Sequence, residues 1–175
     1  IIVTDTTPFY AELGGQAGDI GVIEKNGAKA VVTDTRKNGN GIYMHFVTVE
    51  NGSFDYGDEV TASVCKKNRM AICRNHSTTH LLHKALKEVL GGHVAQAGSE
   101  VTAKHLRFDF SHFEAMTEEQ LKETEKKVND AILSAMPVVV KELPIEEAKK
   151  LGAEAQFGEK YGDVVRVVSM GDYSV

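Results

Sequence analysis

Hydrophobic and polar positions alternate with period two over the first third of the chain and switch to a helical period after it. Between residues 1 and 64, "IIVTDT", "GDIGVIEKN", "AKAVVTDTR", "GIYMHFVTV" and "DEVTASV" are short runs rich in β-branched residues, punctuated by Gly, Asn and Asp. Strands at this spacing predict a small antiparallel β-barrel. From Asn75 the period changes. At roughly 100° per residue, Leu82, Ala85, Leu86 and Val89 share one arc, with Asn75 as the N-cap and Gly91 and Gly92 as the stop. A second helix is announced by Thr117 and Gln120, spaced as a capping box, with Leu121, Val128, Ile132 and Leu133 as its apolar face and an end near Pro137. "LRFDF", "PVVVKEL" and "DVVRVVSM" predict strands, and "PIEEAKKLG" a short helix opened by Pro144 and closed by Gly152.

The pattern therefore predicts an α+β protein. Residues 1–64 form a glycine-rich β-barrel subdomain, and residues 65–175 form a subdomain with helices on a mixed or antiparallel sheet. No repeat or low-complexity linker separates them, so a packed junction near residue 65 is expected. The chain starts at Ile1 inside a β-rich pattern and ends at Val175 just after a strand, and is expected to be a piece of something longer, truncated at its C-terminus.

Composition narrows the class. Of 175 residues, 42% are hydrophobic and 26% charged, which suits a soluble globular chain with its own core. No apolar run approaches the roughly 18 residues of a membrane span, and the given sequence does not open on a charged n-region followed by an apolar h-region. Cys65 and Cys73 lack C-x-x-C spacing, so reduced thiols and a cytoplasmic location are expected. A net charge of −5 excludes a protein that coats nucleic acid over its whole surface. A local contact is compatible with it, because Lys66, Lys67, Arg69 and Arg74 fall in a stretch free of acidic residues.

Candidate chemistry starts with "RNHSTTHLLHKAL", which places His76, His80 and His83 along the edge of the predicted helix. Two imidazoles one turn apart can share one Zn²⁺, and they are equally compatible with a structural or surface pair. Ser77, Thr78 and Thr79 lie between His76 and His80, so the glutamate of the H-E-x-x-H peptidase motif is missing and metalloprotease chemistry is excluded. Cys73 and His83 are the nearest additional ligands by spacing, and no second paired motif is present.

Four stretches in order, "TPFYAELGGQAGDIG", "NHSTTHLLHKAL", "VAQAGSEVTAKHLRFDFSH" and "FGEKYGDVVRVVSMGDYS", resemble the editing domain of alanyl-tRNA synthetases across essentially the whole chain. A weaker resemblance extends to free-standing trans-editing proteins and to the threonyl-tRNA synthetase editing domain, which lacks the "GGQAGDIG" stretch. The resemblance implies hydrolysis of the ester joining serine or glycine to alanine tRNA, alongside the ATP-dependent synthetic site of a parent synthetase. It also implies one zinc ion, held by His76 and His80 and by a Cys-x-x-x-His pair expected beyond Val175, so that this chain alone holds zinc weakly. Thr79 and Gln96 are placed by it at the catalytic pocket, with Ser99 close by.

Gly14, Gly15 and Gln16 invite two readings. A Gly-Gly-Gln tripeptide also occurs in peptide-chain release factors, but here it fits a turn between barrel strands, or a turn lining the editing cleft as part of substrate binding. Arg107 and Asp109 alternate with apolar neighbours and are expected at the surface or between subdomains. Lys66, Lys67, Arg69 and Arg74 are the tRNA-contact candidates. Two functions of different class remain open: an aminoacyl-ester deacylase, within a synthetase or free-standing, and a non-catalytic tRNA-binding module.

Overall fold

The computed structural model describes residues 1–151 and 162–174. The order of elements is β1 (Gly21–Lys25), β2 (Ala28–Lys37), β3 (Tyr43–Asn51), β4 (Thr61–Val64), α1 (Lys66–Leu90), β5 (Gln96–Val101), β6 (Leu106–Phe110), α2 (Glu118–Leu133), β7 (Val138–Pro144), α3 (Ile145–Lys150) and β8 (Val164–Met170). This is the α+β class the pattern predicts. Packing divides the chain into two units, Ile1–His76 with Ser99–Arg107, and Ser77–Gly98 with Phe108–Val175.

In the first unit, four strands form an antiparallel sheet in the order β3-β2-β1-β4. The expected closed barrel is not formed among the described residues: β3 and β4 are the two ends of the sheet, with no pairing between them to close it. The predicted first strand shrinks to a bridge between Ile2 and His45 on the outer side of β3. Alternation along β2 buries Ala28, Ala30 and Val32, and then the phase breaks. A register shift between Val32 and Asp34 inserts one extra residue, so the next buried position is Thr35. That shift turns the Thr35 hydroxyl inward, where it donates to the Asp19 carbonyl at 2.9 Å. Phe9, Ile23 and Val32 centre the core, with Ile2, Val47, Phe54, Val60, Ala62 and Val64 packed around them. His45 is fully buried beside Phe9. Its Nδ1 donates to the Ile2 carbonyl at 2.9 Å, so its Nε2 accepts from the Thr7 hydroxyl at 2.7 Å.

Helix α1 begins at Lys66, well before the predicted cap at Asn75. Ile72, Thr79 and Leu86 repeat every seven residues and are all buried, which makes residues 66–75 the continuation of one amphipathic face. Asn75 sits on that face and its amide donates to the Thr102 carbonyl at 2.8 Å instead of capping. The stop is where the glycines predict it, with Gly91 at φ +115 and its N–H on the Lys87 carbonyl.

The second unit has its core at Leu81, Ala131 and Met170, flanked by Met136 and Tyr173. The capping box of α2 is complete: the Gln120 N–H donates to Thr117 Oγ1 at 3.2 Å and the Thr117 N–H to Gln120 Oε1 at 2.8 Å. Of the expected apolar face of α2, only Val128 is half-buried. Thr124 and Ala131 face the core, while Leu121, Ile132 and Leu133 are exposed. Small side chains at i and i+7 let the helix backbone approach its neighbours closely, which bulky leucines there would prevent. Strands β7 and β8 pair antiparallel from Val138–Met170 to Pro144–Val164. Helix α3 starts after Pro144 as predicted, and its predicted closing residue Gly152 lies outside the described residues.

Candidate functional site

The Gly-Gly-Gln tripeptide is a tight turn. Leu13 and Gln16 exchange backbone hydrogen bonds of 3.3 and 3.0 Å, with Gly14 at φ +59 and Gly15 at φ +80 between them. Two successive positive φ angles are the geometry of the turn that glycine pairs favour. The Gly15 carbonyl accepts from the Val101 N–H at 2.8 Å, and the Ala17 N–H donates to the Val101 carbonyl at 2.9 Å. Gln16 thus forms a single parallel bridge with Val101 at the end of β5. Gly15 lies flat against the backbone of Ser99, where a Cβ would come within 3.0 Å of the Ser99 carbonyl carbon and closer still to its oxygen. Locked this way, the turn aims Gln16 at α1. Gln16 Oε1 lies 2.6 Å from Nδ1 of His76. The first unit therefore brings together five of the residues chosen from sequence: Gly14, Gly15, Gln16, Ser99 and His76.

The base of the same turn is held by charge. Asp19 is buried, and its carboxylate accepts from the Tyr10 N–H at 2.6 Å and from Arg69 Nε at 2.8 and 3.0 Å, with a further close contact to the second guanidinium nitrogen. The same guanidinium donates to the Pro8 carbonyl at 3.1 Å. Hydrogen bonding to Asp19 raises the Arg69 pKa further above its usual value. Of the four candidate tRNA-contact cations, Arg69 is thus turned toward Asp19, whereas Lys66, Lys67 and Arg74 have exposed side chains on α1. A depression of about 200 Å³ beside the turn is lined by Glu12, Asp34, Glu100 and small residues. Its acidic lining suits a cation better than a phosphate.

In the second unit, Thr79 is buried, Gln96 opens β5 half-buried, and His80 is exposed one turn beyond His76 on α1. His83 points its Nε2 toward the Val94 carbonyl at 3.5 Å and tilts against Phe108. Cys73 is exposed and unoxidised. On β6, Arg107 and Asp109 face outward between half-buried Leu106, Phe108 and Phe110, as the alternation predicts, and Arg107 pairs with Glu100 at 3.2 Å.

Residues 1–68 match the family described as tRNA synthetases class II (A). Over 174 residues, 99% of its length, the chain is 57% identical to the alanine–tRNA ligase of Acetivibrio thermocellus. It is 52% identical over the same share to the alanine–tRNA ligases of Bacillus velezensis and Geobacillus kaustophilus. Across nearly its whole length the chain is similar to one segment of these alanine–tRNA ligases. It spans 20% of the length of each of these relatives. None of its described helices is long and apolar enough to cross a membrane.

Whether the chain fits zinc can be judged from its donors. His76 and His80 supply two imidazoles at helical spacing, and His76 has its Nδ1 engaged by Gln16, as ligating histidines typically do on the side away from a metal. Among the described residues, however, no group of three or more His, Cys, Asp or Glu could hold a metal ion. The two imidazoles are half of a tetrahedral shell and no more. Sequence reasoning selected Gln16 and His76 separately. It missed Asp19, whose role depends on Arg69 fifty positions away.

Proposed function

We infer that this chain is the editing part of an alanine–tRNA ligase, hydrolysing the ester that joins serine or glycine to alanine tRNA. The observation that carries this reading is the turn at Gly14–Gln16 converging on His76. Glycine turns that merely connect strands need no such partner.

An aminoacyl ester is already activated, so the protein has to orient it, admit one water and distinguish the amino acid. In this reading Thr79 Oγ1 and the Gln96 amide hydrogen-bond the serine hydroxyl or the ammonium group, and Ser99 is a further substrate-binding residue. A buried partner for a hydroxyl rejects the analogue lacking it far better than a pocket that measures size, which is how serine is removed while alanine is spared. Zn²⁺ held by His76 and His80, with ligands from residues other than those described, would supply Lewis-acid polarisation. Lys66, Lys67 and Arg74, all exposed, are the cations proposed to meet tRNA phosphates.

The test is release of labelled serine, glycine and alanine from alanine tRNA. It is run on the chain itself and on the Acetivibrio thermocellus ligase with its matching segment exchanged for this chain. The exchanged ligase is expected to release serine and glycine faster than alanine. His76→Ala is expected to lower all release, and Thr79→Val to narrow the preference for serine. An exchanged ligase that aminoacylates yet releases nothing would overturn the reading and leave a tRNA-binding module as the better account.

A further inference from the structure

We propose that Gln16 is a positioning residue for His76: its amide oxygen accepts a hydrogen bond from Nδ1–H, fixes the ring in one tautomer and one orientation, and sets Nε2 as the nitrogen that carries the lone pair. The role of the glycine turn follows, since it exists to deliver that oxygen. This deepens the editing reading, on which its catalytic consequence rests, but the tautomer itself can be measured without any activity.

The argument is geometric. A neutral imidazole has one N–H and one lone pair, and a distance of 2.6 Å between Nδ1 and an amide oxygen is attractive only if Nδ1 bears the hydrogen. In solution a neutral histidine prefers the hydrogen on Nε2, so the contact selects the less common form. Backbone bonds hold the acceptor still: Gln16 is pinned by Leu13 on one side, and its neighbours Gly15 and Ala17 are pinned by Val101 on the other. Side-chain freedom alone would not give a fixed acceptor, because Gln loses substantial rotamer entropy when it is held. Here the close approach of Gly15 to Ser99 fixes the chain just before it, and no side chain larger than hydrogen fits at that point. Sixty residues separate Gln16 from His76, so the contact joins two segments otherwise far apart in the sequence.

The experiment is long-range ¹H–¹⁵N correlation spectroscopy of the His76 ring in ¹⁵N-labelled chain. It compares the wild type with Gln16→Leu, which keeps much of the bulk without an acceptor, and Gln16→Glu, which keeps an acceptor at the same reach. The wild type and Q16E are expected to show the hydrogen on Nδ1, and Q16L to move it to Nε2. In the exchanged ligase, Q16L is expected to lower serine release about 10- to 100-fold, with Q16E retaining release within about threefold. A wild-type His76 with its hydrogen on Nε2 would mean that the Gln16 amide donates, and would overturn the proposal. So would a tautomer, or a rate of serine release, that Q16L leaves unchanged. If the tautomer behaves as expected while no form of the ligase releases serine, the editing reading fails and the positioning of His76 by Gln16 stands.

Discussion

Gly14 and Gly15 are adjacent, both have positive φ, and both sit in an exposed turn, yet replacing them by alanine is expected to have different consequences. At Gly14, φ is +59 and a Cβ would meet nothing within 4 Å, so Gly14→Ala bears only the left-handed backbone strain of about 1–2 kcal/mol. At Gly15 the same strain applies, and the Cβ collides with the Ser99 carbonyl. Relief requires the turn to part from β5. That loses the Val101-to-Gly15 and Ala17-to-Val101 backbone bonds, worth about 1 kcal/mol each. The total for Gly15→Ala is then about 3–4 kcal/mol, some 2 kcal/mol beyond Gly14→Ala, or roughly 30-fold in the local opening equilibrium. Native-state hydrogen exchange at the Ala17 and Val101 amides measures this directly, because it reports the opening of this turn and not of the whole chain. If the two variants differ by less than about 0.5 kcal/mol at those amides, the close packing of Gly15 on Ser99 does not hold the turn, and the account of how Gln16 is aimed fails with it.

Arg69→Met is expected to cost about 3–5 kcal/mol in denaturant unfolding, because it strands the buried Asp19 carboxylate, and Asp19→Asn added to it should recover part of that loss. Fully additive costs would contradict the pairing. Tyr173 has its pKa raised, first by burial and then by Glu88, so its contribution to stability is complete below the unfolded value near 10 and is lost as pH rises through the higher folded value. Ultraviolet titration of wild type against Tyr173→Phe should show one tyrosine ionising late. Its hydroxyl has no hydrogen-bond partner among the described residues, so the phenylalanine variant should be about as stable at neutral pH, and a loss above about 1 kcal/mol would point to a missed partner. Lys66→Ala and Lys67→Ala should each remove about 0.7 to 0.9 from the slope of log affinity for alanine tRNA against log salt. Unchanged slopes would remove these cations from the interface.

What the sequence disclosed depended on how local the cause was. The box at Thr117 and Gln120 is a contact between neighbours, and it appears as read. The start of α1 was not visible, because Asn75 has the side chain of a cap and only its distant partner, the Thr102 carbonyl, shows that it is used otherwise. Leu121, Ile132 and Leu133 look like the core face of α2 by hydrophobicity, but the space beside that helix accepts Thr124 and Ala131, and available space is a tertiary property. The open sheet in place of a barrel has the same origin, since nothing local to β3 or β4 states whether they will meet. Gln16 and His76 could each be singled out from sequence. Their contact could not, because it depends on where Val101 and Ser99 place the glycine turn.

The strand pairing of Gly15 and Ala17 with Val101 also sets a schedule. The partner of a turn near the start of the chain is made more than eighty residues later, after all four strands of the first sheet and the whole of α1. At about 5–20 residues per second, a ribosome leaves that turn without its partner for roughly 4 to 16 seconds. The sheet can form during the delay, because β1, β2 and β3 pair in sequence order and β4, which closes on β1, also precedes α1. The turn carrying Gln16 cannot be locked until β5 has emerged, so the four-stranded sheet can form before the geometry around His76 is set. A released fragment ending between residues 90 and 95 would have a protected sheet and an unprotected Ala17 amide.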